Sequence, residues 1–146
     1  MINTLQQIDK KVRAFCDNDS AIVNEYLSGD FSTFNSADHK YPLIFLTPIK
    51  TRIQDGQVQF ICNISFIDLC YEKSELMKIL SDLNILITEL FIYLTDDRDN
   101  DMYFLTLLTP SEFQPFYRGI DNTCGYQGDV TFKLVLNISV QDIRTK

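Results

Sequence analysis

Tryptophan is absent from this sequence, histidine occurs once, and glycine and cysteine are limited to five and four copies in 146 residues. Each scarcity closes off a class of chemistry. The five glycines stand apart at 29, 56, 119, 125 and 128, so there is no glycine-rich loop to cradle a phosphate. Gly125-Tyr126-Gln127-Gly128 is not followed by the Lys-Ser or Lys-Thr that such a loop needs. One histidine, His39, leaves nucleophile–base–orienter arrangements without their usual base. It has Asp38 beside it and no nucleophile elbow near it, and reads as an exposed loop histidine. Basic charge is also in short supply. Lys+Arg number 13 against 20 Asp+Glu, a net charge of −7 with a pI of about 4.5. Such a chain is poorly suited to gripping a phosphate backbone through counterion release.

Long apolar runs are missing too. The greasiest segment, Leu83 to Leu94, is interrupted by Asn84, Thr88 and Glu89 and is too short to span a bilayer. The opening residues Met1 to Gln7 are polar, with neither a basic start nor an apolar stretch. The sequence therefore predicts a soluble protein made in the cytoplasm, with no membrane partner. Cys16, Cys62, Cys70 and Cys124 form no Cys-x-x-Cys pair and match no zinc module in their spacing. They read as reduced, mostly buried thiols.

What is present is ordinary globular material. The hydrophobic fraction is 45% and the charged fraction 23%, both near soluble averages. A single domain of this length buries about 70% of the surface of its extended chain. Ile2, Leu5, Ile8, Val12, Phe15 and Cys16 recur at three and four residues, predicting a helix over 3–16 with Lys10, Lys11 and Arg13 turned away. Residues 21–28 fit a short helix or a first strand. The stretch 29–41 is polar and punctuated, a loop whose Phe31 and Phe34 cover something apolar.

Pro42 to Thr47 reads as a strand, with proline at the tolerated first position. Val58, Phe60, Cys62, Ile64 and Phe66 alternate with mostly polar neighbours. With a turn at Gln54-Asp55-Gly56 they predict an antiparallel pair, with Ile49 to Ile53 in its loop. Ser74 offers an N-cap to the longest helix, near 74–94. Leu76, Ile79, Leu80, Leu83, Ile87, Leu90, Phe91 and Leu94 form its apolar face, which Ile85, Leu86 and Ile92 widen beyond an ordinary stripe. An acidic loop at 95–101 leads to a strand over 102–109, extended by Phe113 and Phe116. Residues 119–128 are rich in turn formers. Val130, Phe132, Leu134, Leu136, Ile138 and Val140 then alternate cleanly as a last strand. The order predicts an α+β fold: a twisted, mainly antiparallel sheet of four or five strands, with the N-terminal helix and the long helix on one face.

Candidate chemistry is sparse. Asp97, Asp99 and Asp101 take positions one, three and five of a calcium loop, but Met102 stands at position six and Leu108 at twelve. That spacing excludes an EF-hand and leaves a solvated loop. Asn63-Ile64-Ser65 and Asn137-Ile138-Ser139 match the glycosylation pattern inside predicted strands. Eleven Phe and seven Tyr suggest stacking platforms, but without a basic groove they read as core and interface. The sequence thus assigns no catalytic residue, no metal ligand and no cofactor.

It does carry more apolar surface than its own packing obviously requires, which either marks subunit contacts or is absorbed by a thick core. The candidate contact residues are Ile53, Gln54 and Asp55 in the hairpin loop, Asp97, Arg98 and Asp99 in the acidic loop, Leu86 and Ile92 on the long helix, and Phe113, Phe116, Tyr117 and Tyr126 in the 110–128 excursion. Glu72, Lys73 and Arg98 add rim charges. The two loops would form one contact set; the excursion and the outer helix face would form the other.

Four segments in order carry a resemblance. They are Tyr26-Leu27-Ser28-Gly29-Asp30, Lys40-Tyr41-Pro42-Leu43-Ile44-Phe45, Phe66-Ile67-Asp68-Leu69 leading into the long helix, and Asn122-Thr123-Cys124-Gly125-Tyr126 opening the last strand. Over roughly residues 1–143 their order resembles the small neck and tail-completion proteins of tailed bacteriophages, those of crAss-like phages especially. The resemblance implies a tail-terminator-like sheet flanked by helices and a strand at 21–28. It also implies a non-enzymatic virion protein that forms a six- or twelve-fold ring at the head–tail junction. Its partners would be copies of itself and adjacent portal, neck or tail proteins, close to packaged DNA without specific binding. Closed rings need two different, complementary patches on each subunit. A cytosolic adaptor acting as monomer or dimer would share the acidity and the lack of chemistry. An enzyme working through His39 or the Asp97–Asp101 cluster is the third expectation.

Overall fold

A computed structural model describes residues 4–20, 22–95, 105–108 and 111–135. Helix α1, Thr4–Ala14, presents Ile8 and Val12 to the sheet one turn apart, and Phe15 and Cys16 continue that stripe into a π-helical turn, Phe15–Asp19. Lys11 departs from its predicted outward position. It is buried, with its Nζ 4.6 Å from the centre of the Tyr93 ring, where the aromatic face replaces lost hydration. Ser20 ends the turn, its Oγ accepting the N–H groups of Ile22 and Val23. The chain then enters strand β1, Glu25–Ser28, so among the described residues 22–28 the ambiguous segment contains a strand and no helix.

Strand β2, Leu43–Gln54, and strand β3, Gln57–Leu69, form a long hairpin. The predicted loop at Ile49 to Ile53 is strand instead. Pairing runs out to Gln54↔Gln57 past a bulge between Pro48 and Lys50. Only Asp55 and Gly56 turn the chain, both at positive φ (50° and 74°), the conformation that a two-residue hairpin requires. Helix α2 spans Leu76–Leu94 behind a 3-10 turn at Lys73–Glu75. Ser74 lies in that turn and does not cap the helix. Its Oγ donates to Glu72 instead.

Strands β4, Leu105–Leu108, β5, Gln114–Arg118, and β6, Thr123–Val135, complete the sheet. The predicted 102–116 strand is thus two strands, with Phe113 between them, and β6 begins seven residues before Val130. Pro115 fits β5 because that strand lies at the sheet edge. The order is β1-β2-β3-β6-β4, and β5 lies along the same flank of β6 as β4. Six strands therefore occupy five positions. Among the described residues only β1 and β2 run parallel; the other pairings are antiparallel. The chain is α+β, as its periodicities predict. Met102 to Phe104 and Leu136, Ile138 and Val140, which the sequence assigns to strands, lie outside the described residues.

Both helices cover one face of the sheet, here the inner face. Ile44, Leu46, Phe60, Cys62, Ile64, Phe66, Val130 and Phe132 project from it, against Ile8, Val12 and Phe15 of α1 and Leu83, Leu86, Leu90 and Leu94 of α2. On the outer face Leu43, Phe45 and Ile67 form a second cluster under Phe31, Phe34, Tyr41 and Phe116. The two phenylalanines of the 29–41 loop do cover an apolar surface, as the sequence predicts. Gly125 permits the close β3–β6 approach, since a Cβ there would lie 1.7 Å from the Phe66 carbonyl oxygen.

Candidate interaction surfaces

The titratable groups that the sequence singles out are built into the scaffold. His39 is half-buried, correcting the expected exposed loop position. Its ring stacks on Phe34, and Nδ1 hydrogen-bonds Oε2 of Glu25. Glu25 Oε1 also accepts the backbone N–H of Lys40. Burial raises the Glu25 carboxyl, but the Lys40 N–H, the His39 ring and the Lys40 charge outweigh it and hold the group below its usual value. The arrangement clasps the 29–41 loop to β1. The four cysteines are buried. Burial pushes the thiols of Cys16 and Cys124 up to about 12 and that of Cys62 to about 11; the neighbouring Cys70 thiol adds to the shift at Cys124. These three are thiols at neutral pH, whereas the thiolate is the nucleophile and metal ligand. Among the described residues no group of three or more His, Cys, Asp or Glu converges on a metal position, and no helix is long and apolar enough to cross a membrane.

Exposed apolar side chains stand at the two lateral edges of the sheet and on the back of α2, and singly at Leu5, Tyr71 and Ile120. At one edge β1 covers β2 only along Leu43–Leu46. Beyond that, Thr47–Gln54 leaves its outer side unpaired among the described residues and, with β3, forms an arm. Pro48 and the bulge interrupt this edge, a device that blocks strand addition. Alternation sorts its side chains. Ile53 shares the inner face with its register partner Val58, yet is 75% exposed. Lys50 and Arg52, two residues apart, both take the outer face, where Arg52 reaches Gln59 at 3.4 Å.

The opposite edge carries two hollows. On the inner side Ile87, Phe91 and Ile92 of α2 meet Leu107 of β4 and Phe113 around an apolar groove of about 440 Å³. Phe113 is fixed there by edge-on contacts to Phe66 and Phe91, both at 5.6 Å. On the outer side Asn63, Glu112, Gln114, Gln127 and Asp129 line a polar hollow of about 460 Å³. Gly128 lets the chain at Glu112 pass close against β6, because a Cβ there would lie 2.2 Å from the Glu112 carbonyl oxygen. Asp129 accepts a hydrogen bond from Asn63 Nδ2 at 3.1 Å. Along the back of α2, Met77, Ile85 and Ile92 are 75%, 56% and 65% exposed.

The predicted contact residues separate accordingly. Ile53, Gln54 and Asp55 lie together at the exposed arm tip, although in strand and tight turn instead of a long loop. Ile92 is exposed at the rim of the apolar groove, which Phe113 lines. Phe116 is half-buried in the outer cluster, Tyr117 is half-buried on β5, and Tyr126 accepts a hydrogen bond from Asn84 with its hydroxyl. Leu86 is not a surface residue; it is fully buried in the main core. Tyr93, seven residues on along the same side of α2, meets Lys11 of α1 and, at 5.4 Å, Phe15 of the turn that follows it, so that side of α2 faces α1. Glu72 and Lys73 are exposed at the start of the 3-10 turn. Asp97, Arg98, Asp99 and Asp101 lie outside the described residues.

Sequence reasoning passes over Lys50, Arg52, Glu112 and Asp129. The two-residue spacing of Lys50 and Arg52 signals one strand face once Ile49–Ile53 is read as strand. That Glu112 and Asp129 line one hollow has no local signal, because it depends on the chain at Glu112 passing close to Gly128. No protein-family model matches this chain, and no curated protein is significantly similar to it.

Proposed function

We propose that this protein is a non-enzymatic structural subunit of a tailed-phage virion, assembling as a homo-oligomeric ring in the neck or tail-completion region. One observation carries the oligomer: large apolar side chains stand exposed at separated places, Ile53 at one sheet edge and Ile85, Ile92 and Met77 on α2 beside the other. Leaving such surface in water is unfavourable at about 25 cal/mol per Å², and burial against a neighbour relieves it. A ring subunit needs two separate patches of this kind, whereas a two-fold dimer needs one. The phage assignment rests on the sequence resemblance, and the net charge of −7 suits a subunit near packaged DNA that must not hold it.

Mass spectrometry and electron microscopy of purified particles test the proposal. The expected result is the chain in purified virions at a multiple of the portal complement, with a ring density at the neck. Its absence from virions, with the protein recovered only in the soluble lysate, overturns it in favour of a cytosolic adaptor.

A further inference from the structure

The two sheet edges differ in a way that fits them to each other. The β2 edge presents Ile53 towards the inner face and Lys50 and Arg52 towards the outer face. The β4/β5 edge presents the apolar groove at Phe91, Ile92 and Phe113 on its inner side and Glu112 and Asp129 on its outer side. We propose that the β2–β3 arm of one copy docks against the β4/β5 edge of a second copy. Ile53 then enters the apolar groove while Lys50 and Arg52 meet Glu112 and Asp129. This docking rests on the ring reading above and supplies its missing lateral contact.

Three observations select the occupant and its orientation. The first is the match of both faces at once. Set side by side with their helices on the same side, two copies bring apolar to apolar and base to acid in a single placement. The second is what a two-fold contact would do. It would lay Lys50 and Arg52 against their own counterparts, and like charges juxtaposed at an interface are strongly disfavoured. Head-to-tail docking is heterologous, and heterologous contacts close into rings when the rotation permits. The third is the state of the charges. Among the described residues Lys50, Arg52 and Glu112 form no ion pair. Arg52 offers a planar fork of donors matched to carboxylate. Pro48 and the bulge disfavour backbone strand addition at the β2 edge, so side chains make the contact.

Cysteine cross-linking and charge exchange in the full-length protein test the docking. Ile53→Cys with Ile92→Cys in one chain, oxidised with diamide at high protein concentration, gives a ladder of covalent multimers on denaturing gels. Each single variant gives none through that pair. The native cysteines are buried, and wild type run in parallel controls for them. Arg52→Glu weakens self-association in sedimentation experiments by at least about tenfold, as does Glu112→Arg. The two changes combined in one chain restore it. All four positions are exposed or at the groove rim, so unfolding midpoints stay near wild type. A midpoint that drops for Arg52→Glu moves the charge test to Lys50→Glu. Dimers from Ile53→Cys alone indicate a two-fold contact and overturn the docking. So does an oligomer that forms without the 53–92 link or is insensitive to both charge reversals, although the ring reading then survives. A monomer at all concentrations overturns the docking, whereas absence from virions overturns the ring reading independently.

Discussion

On the inner face of the sheet, Ile44, Leu46, Cys62, Ile64, Phe66, Val130 and Phe132 lie under two helices. On the outer face, the apolar patch of Leu43, Phe45 and Ile67 is interspersed with the hydroxyls of Thr47, Ser65 and Thr123, and a loop plus Phe116 closes it. The same strands thus build a deep core on one side and a shallow, polar-rimmed one on the other. The difference follows from what covers each. Helices bring a continuous apolar stripe, whereas a loop brings a few aromatic rings and leaves backbone to be satisfied. The outer face is therefore where charged residues can stand in the open, and where Arg52 and Glu112 are available to a neighbour.

The largest expected effect comes from closing the gap between strands that both faces share. Gly125→Ala places a methyl group against the Phe66 carbonyl oxygen, within a distance no carbon tolerates. The sheet must part there, and urea unfolding is expected to show a loss of about 3 kcal/mol or more. A loss below about 1 kcal/mol would mean that the strands separate freely. Next comes a direct test of the two faces. Phe66→Ala leaves a cavity between rigid helices and strands and is expected to cost about 3–5 kcal/mol; Phe45→Ala costs at least about 1 kcal/mol less, because the 31–41 loop can settle into the space. Equal losses would show that the loop is as rigid a cover as the helices.

How much of this was legible in the sequence depends on whether neighbours along the chain set the structure. Val130 and Phe132 alternate with Thr131 and Lys133, and the Asp55-Gly56 pair dictates a tight turn, so the central strand and the hairpin existed on paper. The arm's length did not. Lys50 to Gln54 pair on one side only, and an edge strand carries no alternating apolar pattern to announce it. Leu86 looked surplus because the presence of α1 over that side of α2 is a tertiary fact. Ile92, in excess of the helical stripe, is exposed as expected, and Ile53, expected in a hairpin loop, is exposed at the end of a strand instead. Glu112 and Asp129 were invisible, since sixteen residues of chain lie between them and they line one hollow only because the chain at Glu112 passes close to Gly128.

A smaller effect distinguishes the faces by pH. The clasp of Glu25, His39 and Lys40 belongs to the loop cover, and Glu25 is held below its ordinary value of 4.5. A carboxyl lowered in the folded state stabilises above its unfolded value, and that contribution is lost as pH falls through the folded one. Asp68, on the inner-face side of β3, behaves oppositely. Burial raises it above 3.8, and Asp82 adds to the rise, so its folded form keeps the proton to higher pH than the unfolded chain does, and its contribution to stability declines as pH rises from the unfolded value through the folded one. The difference between wild type and Glu25→Gln isolates the clasp. The stability gap between them should shrink on acidification below about pH 4.5, and the protection of the 29–41 amides relative to their intrinsic exchange rates should fall in the wild type over the same range. A gap that stays constant from pH 6 to 3 contradicts the clasp.

The smallest effect concerns two hydroxyls that occupy the same outer face and differ in their partners. Ser65 is fully buried and donates to Asn63 Oδ1 at 3.3 Å. Thr47 carries its own buried Oγ1, which has no hydrogen-bond partner among the described residues. A paired buried hydroxyl contributes about 1 kcal/mol, while an unpaired one is a net cost of similar size. Thr47→Val keeps the β-branched shape that the strand prefers and removes only the polar atom. It should stabilise by about 1 kcal/mol, and Ser65→Ala should destabilise by about as much. Opposite signs at two such similar positions would show that the outer face is a covered surface, where desolvated hydroxyls must be satisfied. If both changes are neutral, water reaches beneath the loop, and the outer cluster is a wet patch that only a neighbouring copy could dry.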